Sequence, residues 1–539
     1  MEKSGDKHLE KRVAFHNLGC KVNSYELDIM RQILRDQGFE EVSFQEQADI
    51  YVVNTCTVTN IADRKSRQML HRAKKQNPDA VVIAVGCYVE TDPARVEADD
   101  AIDLVIGNNK KTQIGHILTE FLAEREGRLQ SSEKEGPKPS FREDLTCAPS
   151  FEDMHLTSPG HTRAYIKIQD GCNQFCSYCI IPFARGRIRS RVQGEILKEV
   201  RGLVSDGIRE IVLTGIHVSS YGLDLAEESD NHIAGGNNKN IGNSENVENI
   251  AAGGLSDEKR SSAPRPVRFD PDRAGRALIG LLTRLNEVEG LERIRLSSLE
   301  PRIMTESFIA ALARLEKVCP HFHLSLQSGC DATLRRMNRH YTTEEYALSV
   351  QLLREYYDRP AITTDVIVGF PGETEEEFEA TCSFLEQIRF YEIHVFRYSR
   401  RNGTAAAKMP DQIPEPVKAI RSDRLLAMTA AQAADYRAQF EGEQETILLE
   451  EICEHKGRQY WTGSTSRYVT GAVPAEDFPA AESDGSGSAA AENLAGTLAA
   501  GTFRGGTIAL SRGDALLFLP ERARAAATCD KQILNQPGK

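Results

Sequence analysis

The chain has 539 residues, more than one compact core holds, and its 40% hydrophobic and 27% charged residues are ordinary for soluble proteins. The charged N-terminus carries no signal segment and no run of about 18 apolar residues occurs, so we expect no membrane span and a cytoplasmic location. The net charge of −13 argues mildly against nucleic acid, but most of it falls in two low-complexity stretches, 224–264 and 475–503. Clustered cysteines among the twelve indicate metal binding or catalysis rather than disulfides.

Residues 11–126 are predicted to form an N-terminal α/β domain. Three strand-like segments, RVAFHNLGC, ADIYVVNTC and AVVIAVGC, alternate with segments of helical period. Strands that alternate with helices pair in parallel, so we expect a parallel sheet. The following stretch, 127–160, is rich in Pro, Ser, Glu and Lys and predicts a linker.

Residues 161–400 resume the alternation of strands and helices. The candidate strands are YIKIQD, EIVLTGI, RIRLSS, HFHLSLQ, AITTDVIVGF and YEIHVFRYS. About six such units are enough for a complete or partial (β/α) barrel. A stretch rich in Asn, Gly and Ser over about 226–264 interrupts the barrel, and this composition predicts an insert without fixed structure.

The C-terminal part of the chain changes from a helical to a β pattern. Residues 401–440 predict a helical connector, and 441–520 predict a small β-barrel from segments such as ETILLEEI and GTIALSRGDALLFL. A second low-complexity insert, at about 475–500, splits this domain, and 521–539 form a tail. The fold class is therefore α/β with a separate C-terminal β domain.

The stretch GCNQFCSYC places Cys172, Cys176 and Cys179 in a loop directly after the strand YIKIQD. Barrel active sites form at this end of the strands. A structural zinc site takes four protein ligands, usually from two CxxC knuckles, and no second knuckle is present. An iron–sulfur cluster held by three cysteines leaves one iron open. The spacing favours a cluster, with a zinc site or chance as the alternatives.

A second triplet is more dispersed. Cys20, Cys56 and Cys87 each follow a predicted strand of the N-terminal domain. The carboxyl ends of parallel strands meet at one edge of the sheet, where α/β proteins bind ligands. The three thiols are therefore expected to converge and to hold a second cluster; ordinary buried cysteines are the alternative.

Two cysteine triplets in this order resemble the methylthiotransferase family of radical S-adenosylmethionine enzymes. CxxxCxxC with an aromatic residue, here Tyr178, before the last cysteine is that superfamily's signature. The resemblance covers nearly the whole chain outside the inserts. Its carriers are LGCKVNSYE, NTCTVT, VGCY, GCNQFCSYCIIPFARG, RLSSLEP, HLSLQSG and TTDVIVGFPGETEEEF.

The family likeness implies a fold and a chemistry. The fold is an N-terminal α/β domain, a radical S-adenosylmethionine partial barrel and a C-terminal TRAM β-barrel, although the two inserts depart from the family pattern. The cofactors are two [4Fe–4S] clusters and S-adenosylmethionine. The barrel cluster generates a radical, and the N-terminal cluster supplies or carries the sulfur. Residues that resemble the family's cofactor pocket are Tyr178, Gly215, Glu300, Gln327 and Asp365.

The substrate branch depends on a few residues. Lys21-Val22-Asn23, preceded by FHNLGC, is similar to the branch that converts N6-threonylcarbamoyladenosine at position 37 of tRNA to its 2-methylthio derivative. The isopentenyladenosine-tRNA branch usually has Gln-Met-Asn there, and the ribosomal-protein branch Pro-Lys-Asn. The alternatives are the same chemistry on one of those substrates, or a non-catalytic, metal-dependent RNA-binding module.

An RNA partner needs a cationic surface. The segment FARGRIRSR places Arg185, Arg187, Arg189 and Arg191 after the cluster loop, and alternate residues on a strand project to one side. These arginines are therefore candidates for RNA binding, and a merely solvated face is the alternative. The basic helix ADRKSRQMLHRAKKQ after Cys56 is a second candidate. The resemblance implies the tRNA anticodon loop as substrate, a flavodoxin- or ferredoxin-type electron donor, and a monomer.

Overall fold

The structure is a computed structural model, and the residues that it describes are 11–131, 138–147, 150–160, 162–225, 267–455, 457–475, 501, 503–512 and 515–519. The insert expected at about 226–264 and the tail at 521–539 lie outside these residues, as does nearly all of the insert at about 475–500. No helix in the described ranges is both long enough and apolar enough to cross a membrane.

The N-terminal domain is a parallel sheet of six strands with helices on both faces. The strand order is β2-β1-β3-β4-β5-β6. The strands are β1 (Arg12–Asn17), β2 (Glu40–Val42), β3 (Ile50–Thr55), β4 (Val81–Gly86), β5 (Leu104–Ile106) and β6 (Ser140–Phe141). The helices are α1 (Lys21–Asp36), α2 (Asn60–Gln76), α3 (Cys87–Thr91), α4 (Pro93–Glu97) and α5 (Ile114–Ser131).

The central strands β3 and β4 are buried along their whole length. Each has a continuous apolar run because both of its faces are covered, which is typical of parallel sheets. Two separate hydrophobic clusters, one on each face, form the core of the domain. These strands therefore hold the sheet edge at which Cys56 and Cys87 emerge.

The stretch 127–160 differs from the linker that its composition predicts. Helix α5 continues to Ser131, and β6 adds a sixth strand to the sheet, pairing in parallel with β5. Further on, Met154 and Leu156 are buried in the core of the barrel domain. Contacts with both domains hold this segment in place. Its own sequence is polar and has too little hydrophobic periodicity to predict these elements.

The second domain is a partial barrel of parallel strands. Its elements in chain order are β7 (Ala164–Lys167), β8 (Gln169–Asp170), α6 (Ile181–Ala184), β9 (Arg189–Ser190), α7 (Gln193–Ser205), β10 (Glu210–Thr214), α8 (Pro271–Asn286), β11 (Arg293–Leu296), α9 (Glu306–Leu312), β12 (His321–His323), α10 (Asp331–Arg336), α11 (Thr343–Tyr356), β13 (Ala361–Val368), α12 (Glu375–Ile388) and β14 (Glu392–Arg397).

The barrel consists of two three-stranded parallel sheets, β7-β10-β11 and β12-β13-β14. Isolated bridges such as Ile294–Val318 and Leu299–Leu324 connect them, while β8 and β9 form a separate short antiparallel pair. Within the described strands, β7 and β14 do not pair, so the barrel stays open on one side. Helix α1 of the N-terminal domain packs against β7 at that side.

Side-chain alternation defines the lumen of the barrel. Phe322 and Leu324 pack into the core between the strands and the outer helices. Because side chains alternate along an extended chain, His323, Ser325 and Gln327 lie on the opposite, lumenal face.

The C-terminal domain follows the long helix α13 (Glu415–Ala438), which covers only part of the predicted 401–440 connector. It is a closed barrel of order β15-β16-β17-β19-β18. The strands are β15 (Gln444–His455), β16 (Arg458–Thr465), β17 (Thr470–Pro474), β18 (Phe503–Arg512) and β19 (Ala515–Leu519). The only tryptophan of the chain, Trp461, is buried in its core.

We predict that Gly463→Ala destabilises the C-terminal barrel by about 2 kcal/mol. A Cβ at Gly463 would lie 1.7 Å from the carbonyl oxygen of Leu448 on the paired strand, so β15 and β16 would have to separate. Urea unfolding followed by Trp461 fluorescence measures this barrel. The control is Gly202→Ala, because nothing lies within 4 Å of a Cβ there and alanine favours the helix. Equal unfolding midpoints in the two variants would contradict the prediction.

Candidate active site

A cavity of about 400 Å³ lies at the carboxyl ends of the barrel strands. Cys172, Cys176 and Cys179 line it together. The same wall contains all five residues that the sequence suggested for a cofactor pocket, namely Tyr178, Gly215, Glu300, Gln327 and Asp365. Residues that are far apart in the chain thus meet at the end of the barrel where (β/α) proteins carry out chemistry.

The cysteine loop is held in place by its backbone. Gly171 has a φ of +68°, and a Cβ there would lie 1.8 Å from the carbonyl oxygen of Arg187, so only glycine fits. Phe175 has a φ of +49° in the same loop. The backbone amide of Cys172 donates to Gly186, and that of Ser177 donates to Met337. Both ends of the triplet are therefore fixed to the barrel.

The sulfur atoms of this triplet receive hydrogen bonds that favour thiolates. The guanidinium of Arg339 donates to Cys176 Sγ at 3.3 Å, and the backbone amide of Gln174 donates to Cys172 Sγ at 3.5 Å. Burial raises the pKa of Cys172 and raises that of Cys179 to about 12. A bound metal deprotonates a ligating thiol outright, so three half-buried thiols around one cavity, two of them with N–H donors, fit an anionic iron–sulfur cluster.

Glu300 provides an anionic group in the wall of the cavity. Its carboxylate lies 2.7 Å from His217 Nε2, and it accepts a hydrogen bond from Gln174. Burial alone would raise the pKa of Glu300, but the hydrogen bond from His217 and nearby positive charges lower it to about 2. Gln327, on the same wall, has a φ of +70°, a strained conformation that is common at binding sites.

The three cysteines of the N-terminal domain follow neighbouring strands of its sheet. β1, β3 and β4 are neighbours in the sheet, and Thr55 pairs with Gly86 in register, so Cys56 and Cys87 leave the sheet side by side. Cys20 lines the same cavity as the barrel triplet. Burial raises the pKa of Cys56 to about 11, and the thiols of Cys87 and Cys20 add to this effect.

Cys87 also receives positively polarised donors. Its sulfur lies 3.3 Å from Arg185 Nε and 3.7 Å from Asn108 Nδ2. Burial raises the pKa of Cys87, whereas Arg185 and Lys111 lower it. Hydrogen-bond donors of this kind stabilise a thiolate that ligates a cluster. The barrel triplet has similar donors.

A zinc ion needs its thiolate ligands close together. A tetrahedral zinc ion with Zn–S bonds of about 2.3 Å would place its sulfur ligands about 4 Å apart. Groups whose potential ligand atoms all lie within 4.8 Å of one another are His323–Asp365–His394 and Asp153–His155–Glu195. Among the residues that the structure describes, neither cysteine triplet is gathered this tightly.

The prediction that alternate arginines project together towards RNA is wrong for three of the four. Arg185, Arg189 and Arg191 are 0%, 3% and 2% exposed. The segment is not one strand: Arg185 ends the short helix α6, and only Arg189–Ser190 is extended in a ladder. The N-terminal domain covers it, and the buried carboxylates around the arginines pair with them.

These ion pairs form a buried network between two domains. Glu26 of α1 pairs with Arg185 at 2.8 Å, with Lys167 at 2.7 Å and with Lys111. Asp170 pairs with Lys167 at 2.7 Å, with Arg185 at 3.2 Å and with Arg189 at 3.3 Å. Burial alone would raise the pKa of Glu26, but Arg185, Lys111 and Lys167 hold it well below its ordinary value. Both carboxylates are therefore ionised.

The basic helix α2 keeps an exposed charged face. Arg64, Lys65, Arg72 and Lys75 are all exposed. Arg187, the fourth arginine of the other segment, is half-buried with its guanidinium 4.6 Å from the ring centroid of Phe175. A cationic surface beside the cavity is thus provided mainly by α2.

Sequence reasoning missed several residues of the site. Arg339, His217 and Asn108 contact Cys176, Glu300 and Cys87 respectively. Arg339 stands in the basic run RRMNRH, and His217 follows the strand EIVLTGI, which were the available signals. Neither signal says which sulfur or carboxylate is its partner, because those contacts join distant parts of the chain.

Comparison with known proteins gives two family matches. Residues 12–107 match the uncharacterized protein family UPF0004, and residues 166–385 match the radical SAM superfamily. These ranges correspond to the N-terminal sheet and to the barrel with its cavity. The fold and the site thus define a radical SAM protein with a second cysteine centre.

Similar proteins agree along most of the chain. The threonylcarbamoyladenosine tRNA methylthiotransferase MtaB of Bacillus subtilis is 39% identical over 85% of this chain and 89% of its own length. MtaB of Aquifex aeolicus is 36% identical over 82% and 93%. The tRNA-2-methylthio-N(6)-dimethylallyladenosine synthase of Moorella thermoacetica is 33% identical over 80% and 85%. The chain belongs to the radical S-adenosylmethionine methylthiotransferase family, whose cofactors are [4Fe–4S] clusters and S-adenosylmethionine.

We predict that Arg185→Met destabilises the protein by about 3 kcal/mol and lowers the iron retained by the N-terminal triplet. The substitution leaves buried carboxylates with fewer cations and removes a donor to Cys87 Sγ. Thermal unfolding by circular dichroism and iron per chain measure the two effects.

The matched control is Arg187→Met, from the same segment. This half-buried side chain contacts Phe175, so the loss should be under about 1 kcal/mol. If both variants melt alike and hold the same iron, the buried network does not have the role assigned to it.

Proposed function

We propose that the protein methylthiolates C2 of N6-threonylcarbamoyladenosine at position 37 of tRNA, in the cytoplasm. The observation that carries this proposal is that one cavity is lined by the barrel triplet and by Cys20. In this cavity, a carbon atom activated at one cysteine centre could react with sulfur supplied by the other centre. The two MtaB proteins, at 39% and 36% identity, support the threonylcarbamoyl substrate over the dimethylallyl one, at 33%.

In this proposal, Cys172, Cys176 and Cys179 hold one [4Fe–4S] cluster, and Cys20, Cys56 and Cys87 hold the other. When bound, these groups and S-adenosylmethionine supply the electron, the radical, the sulfur and the methyl group. C2 of adenine is an aromatic C–H of no useful acidity, so a general base could not activate it.

The cavity walls would orient S-adenosylmethionine. Glu300 is ionised and can accept hydrogen bonds from the ammonium or hydroxyl groups of that molecule. Gln327 and Asp365 add polar groups further along the wall, and Gly215 lines it while packing closely against Gln169. Tyr178 is half-buried and packs edge-on against Phe370, 6.4 Å between centroids, so its role is to fix the cysteine loop.

The RNA would approach across α2 and the rim of the cavity. Exposed cations of α2 suit the phosphate backbone of an anticodon loop. Val58 and Phe396 line the cavity although they are 53% and 45% exposed. Exposed apolar side chains at a rim suit an unstacked base. The C-terminal barrel would act as the TRAM domain, the protein would work as a monomer, and a flavodoxin or ferredoxin would supply electrons.

Nucleoside mass spectrometry of tRNA tests the substrate. In the host, loss of the gene should remove 2-methylthio-N6-threonylcarbamoyladenosine and leave its unmethylthiolated precursor. Restoring the gene should restore the product. Loss of the isopentenyl derivative or of ribosomal-protein methylthiolation instead would identify one of the other substrates. Failure of the anaerobic protein to cleave S-adenosylmethionine reductively would favour the non-catalytic RNA-binding alternative.

We predict that the two cysteine triplets have separable roles. The reconstituted protein should contain about eight irons. Cys176→Ala should abolish both 5′-deoxyadenosine and the methylthio product. Cys56→Ala should still release some 5′-deoxyadenosine under strong reductant, because the barrel keeps its own thiols and walls, but should give no methylthio product.

Both compounds are measured in the same reaction. A wild-type rate of methylthiolation by Cys56→Ala would show that Cys56 is an ordinary core cysteine. Complete loss of 5′-deoxyadenosine in folded Cys56→Ala would show that the centres are not independent.

A further inference from the structure

Two histidines and an aspartate lie together in the lumen of the (β/α) barrel, on three neighbouring strands. His323 ends β12, Asp365 belongs to β13 and His394 belongs to β14. Asp365 pairs in register with His394, and His323 pairs with Thr363, two residues before Asp365. Side chains two residues apart on a strand lie on one face, so the parallel pairing places all three groups side by side.

The atoms of this group are close enough to share one ion. Each of the three residues offers a potential ligand atom, and these atoms all lie within 4.8 Å of one another. Nε2 of His323 lies 3.3 Å from Oδ2 of Asp365, and the two imidazole rings stack with their centroids 5.6 Å apart. Two ligands bound at about 2.0–2.1 Å to a tetrahedral zinc ion lie about 3.3 Å apart. The spacing therefore fits a shared metal ion.

The other nitrogen of each ring faces an oxygen atom, as it does in metal sites. Nδ1 of His323 lies 3.0 Å from the hydroxyl of Thr363, and this hydroxyl lies 3.3 Å from Nε2 of His321. The hydroxyl can therefore accept a hydrogen bond from His323 and donate its own to His321. Nδ1 of His394 faces the carboxylate of Glu392 at 3.7 Å. These partners favour the tautomers that leave Nε2 of both ligand histidines available to a metal.

The group lies directly beside the reaction cavity. Asp365 itself lines the cavity, and so do Ser325 and Phe396, which follow His323 and His394 by two residues. A carboxylate has two oxygens, so Asp365 can bind an ion through one of them and present the other to the cavity. Three protein ligands leave one coordination position open, as in catalytic zinc sites.

A second group of similar composition lies near the start of α7 and is less suited to a metal. Asp153, His155 and Glu195 also bring their potential ligand atoms within 4.8 Å of one another. The guanidinium of Arg191, however, donates to Nδ1 of His155 at 3.1 Å and lies 3.8 Å from Asp153. A fixed cation in contact with two of the three groups repels a divalent ion. In the part of the chain that the structure describes, no lysine or arginine makes an ion pair with Asp365.

We propose that His323, Asp365 and His394 bind one divalent transition-metal ion of the zinc class, separate from the two cysteine centres. Imidazole and carboxylate groups are common zinc ligands. Because Asp365 lines the cavity, the open coordination position is accessible to water or to an oxygen group of a bound substrate. The ion thus adds a Lewis acid to the wall of the cavity.

The test measures zinc binding by the cluster-loaded protein under anaerobic conditions. The protein is freed of loosely bound metal on a chelating resin and is then titrated with Zn²⁺ by isothermal titration calorimetry. The wild type should bind one Zn²⁺ per chain. His394→Gln should raise the dissociation constant at least about 100-fold, because losing a ligand costs more than losing its hydrogen-bond partner. His394 is the most exposed of the three ligands, so this substitution should not disturb the core.

Two further variants and a spectrum make the result specific. Thr363→Val removes only the partner of the His323 ring and should weaken zinc binding about tenfold. His155→Gln breaks up the group near α7 and should leave the dissociation constant unchanged. Zinc K-edge X-ray absorption identifies the ligands, because nitrogen and oxygen lie about 2.0–2.1 Å from zinc and sulfur lies about 2.3 Å away. We expect nitrogen and oxygen alone.

Iron per chain and the melting temperature are measured for every variant. If a variant loses iron or melts early, the absorption spectrum of the wild type decides which ligands hold the zinc. Absence of zinc binding by the wild type would overturn the inference and would leave an ordinary contact between His323 and Asp365. Unchanged binding by His394→Gln would overturn it too.

Two other results would place the ion elsewhere and overturn the inference. Loss of binding in His155→Gln would assign the zinc to the group near α7. A shell of sulfur around the zinc would assign it to a cysteine triplet. The titration contains neither RNA nor S-adenosylmethionine, so its failure leaves the proposed function intact, and the nucleoside analysis tests that function separately.

Discussion

The buried pairing of Glu26 with Arg185 is the interaction on which the arrangement of the site depends. Glu26 belongs to the first helix of the N-terminal domain, and Arg185 follows the cysteine loop of the barrel. Removing two such charges from water costs several kcal/mol each, and the cost is offset only when every charge finds partners. One relative placement of the domains satisfies both groups together with Lys167 and Asp170. The network therefore specifies how the two cysteine centres face each other.

The same network adjusts the charge around the N-terminal triplet. Four cations, Lys111, Lys167, Arg185 and Arg189, make direct ion pairs with two carboxylates. The remaining positive charge lies next to Cys87, whose sulfur receives a hydrogen bond from Arg185. An electropositive surrounding stabilises thiolates and anionic clusters. Arg185 thus couples domain docking to the properties of the cysteine centre.

The C-terminal barrel closes the opposite end of the lumen. Tyr468, at a φ of +62°, enters among Arg163, Arg295 and His321. Arg163 directly precedes β7, Arg295 belongs to β11 and His321 begins β12, and none of them lines the cavity with the three cysteines. Among the described residues, those that line the cavity with the three cysteines come from the N-terminal domain and from the (β/α) barrel.

The sequence alone determined the three-domain architecture and the two cysteine triplets, because strand–helix alternation and local cysteine spacing are written in short stretches of chain. The resemblance to the family also indicated Gly215, Glu300, Gln327 and Asp365, and these four residues line the cavity. Only the tertiary structure determines which charged residues are buried and which groups they pair with. Arg185, Arg189 and Arg191 look like a cationic surface in sequence, yet a second domain buries them against Glu26, Asp170 and Glu199. Charge pairing depends on which distant segments are brought together in the fold, and no local pattern records that.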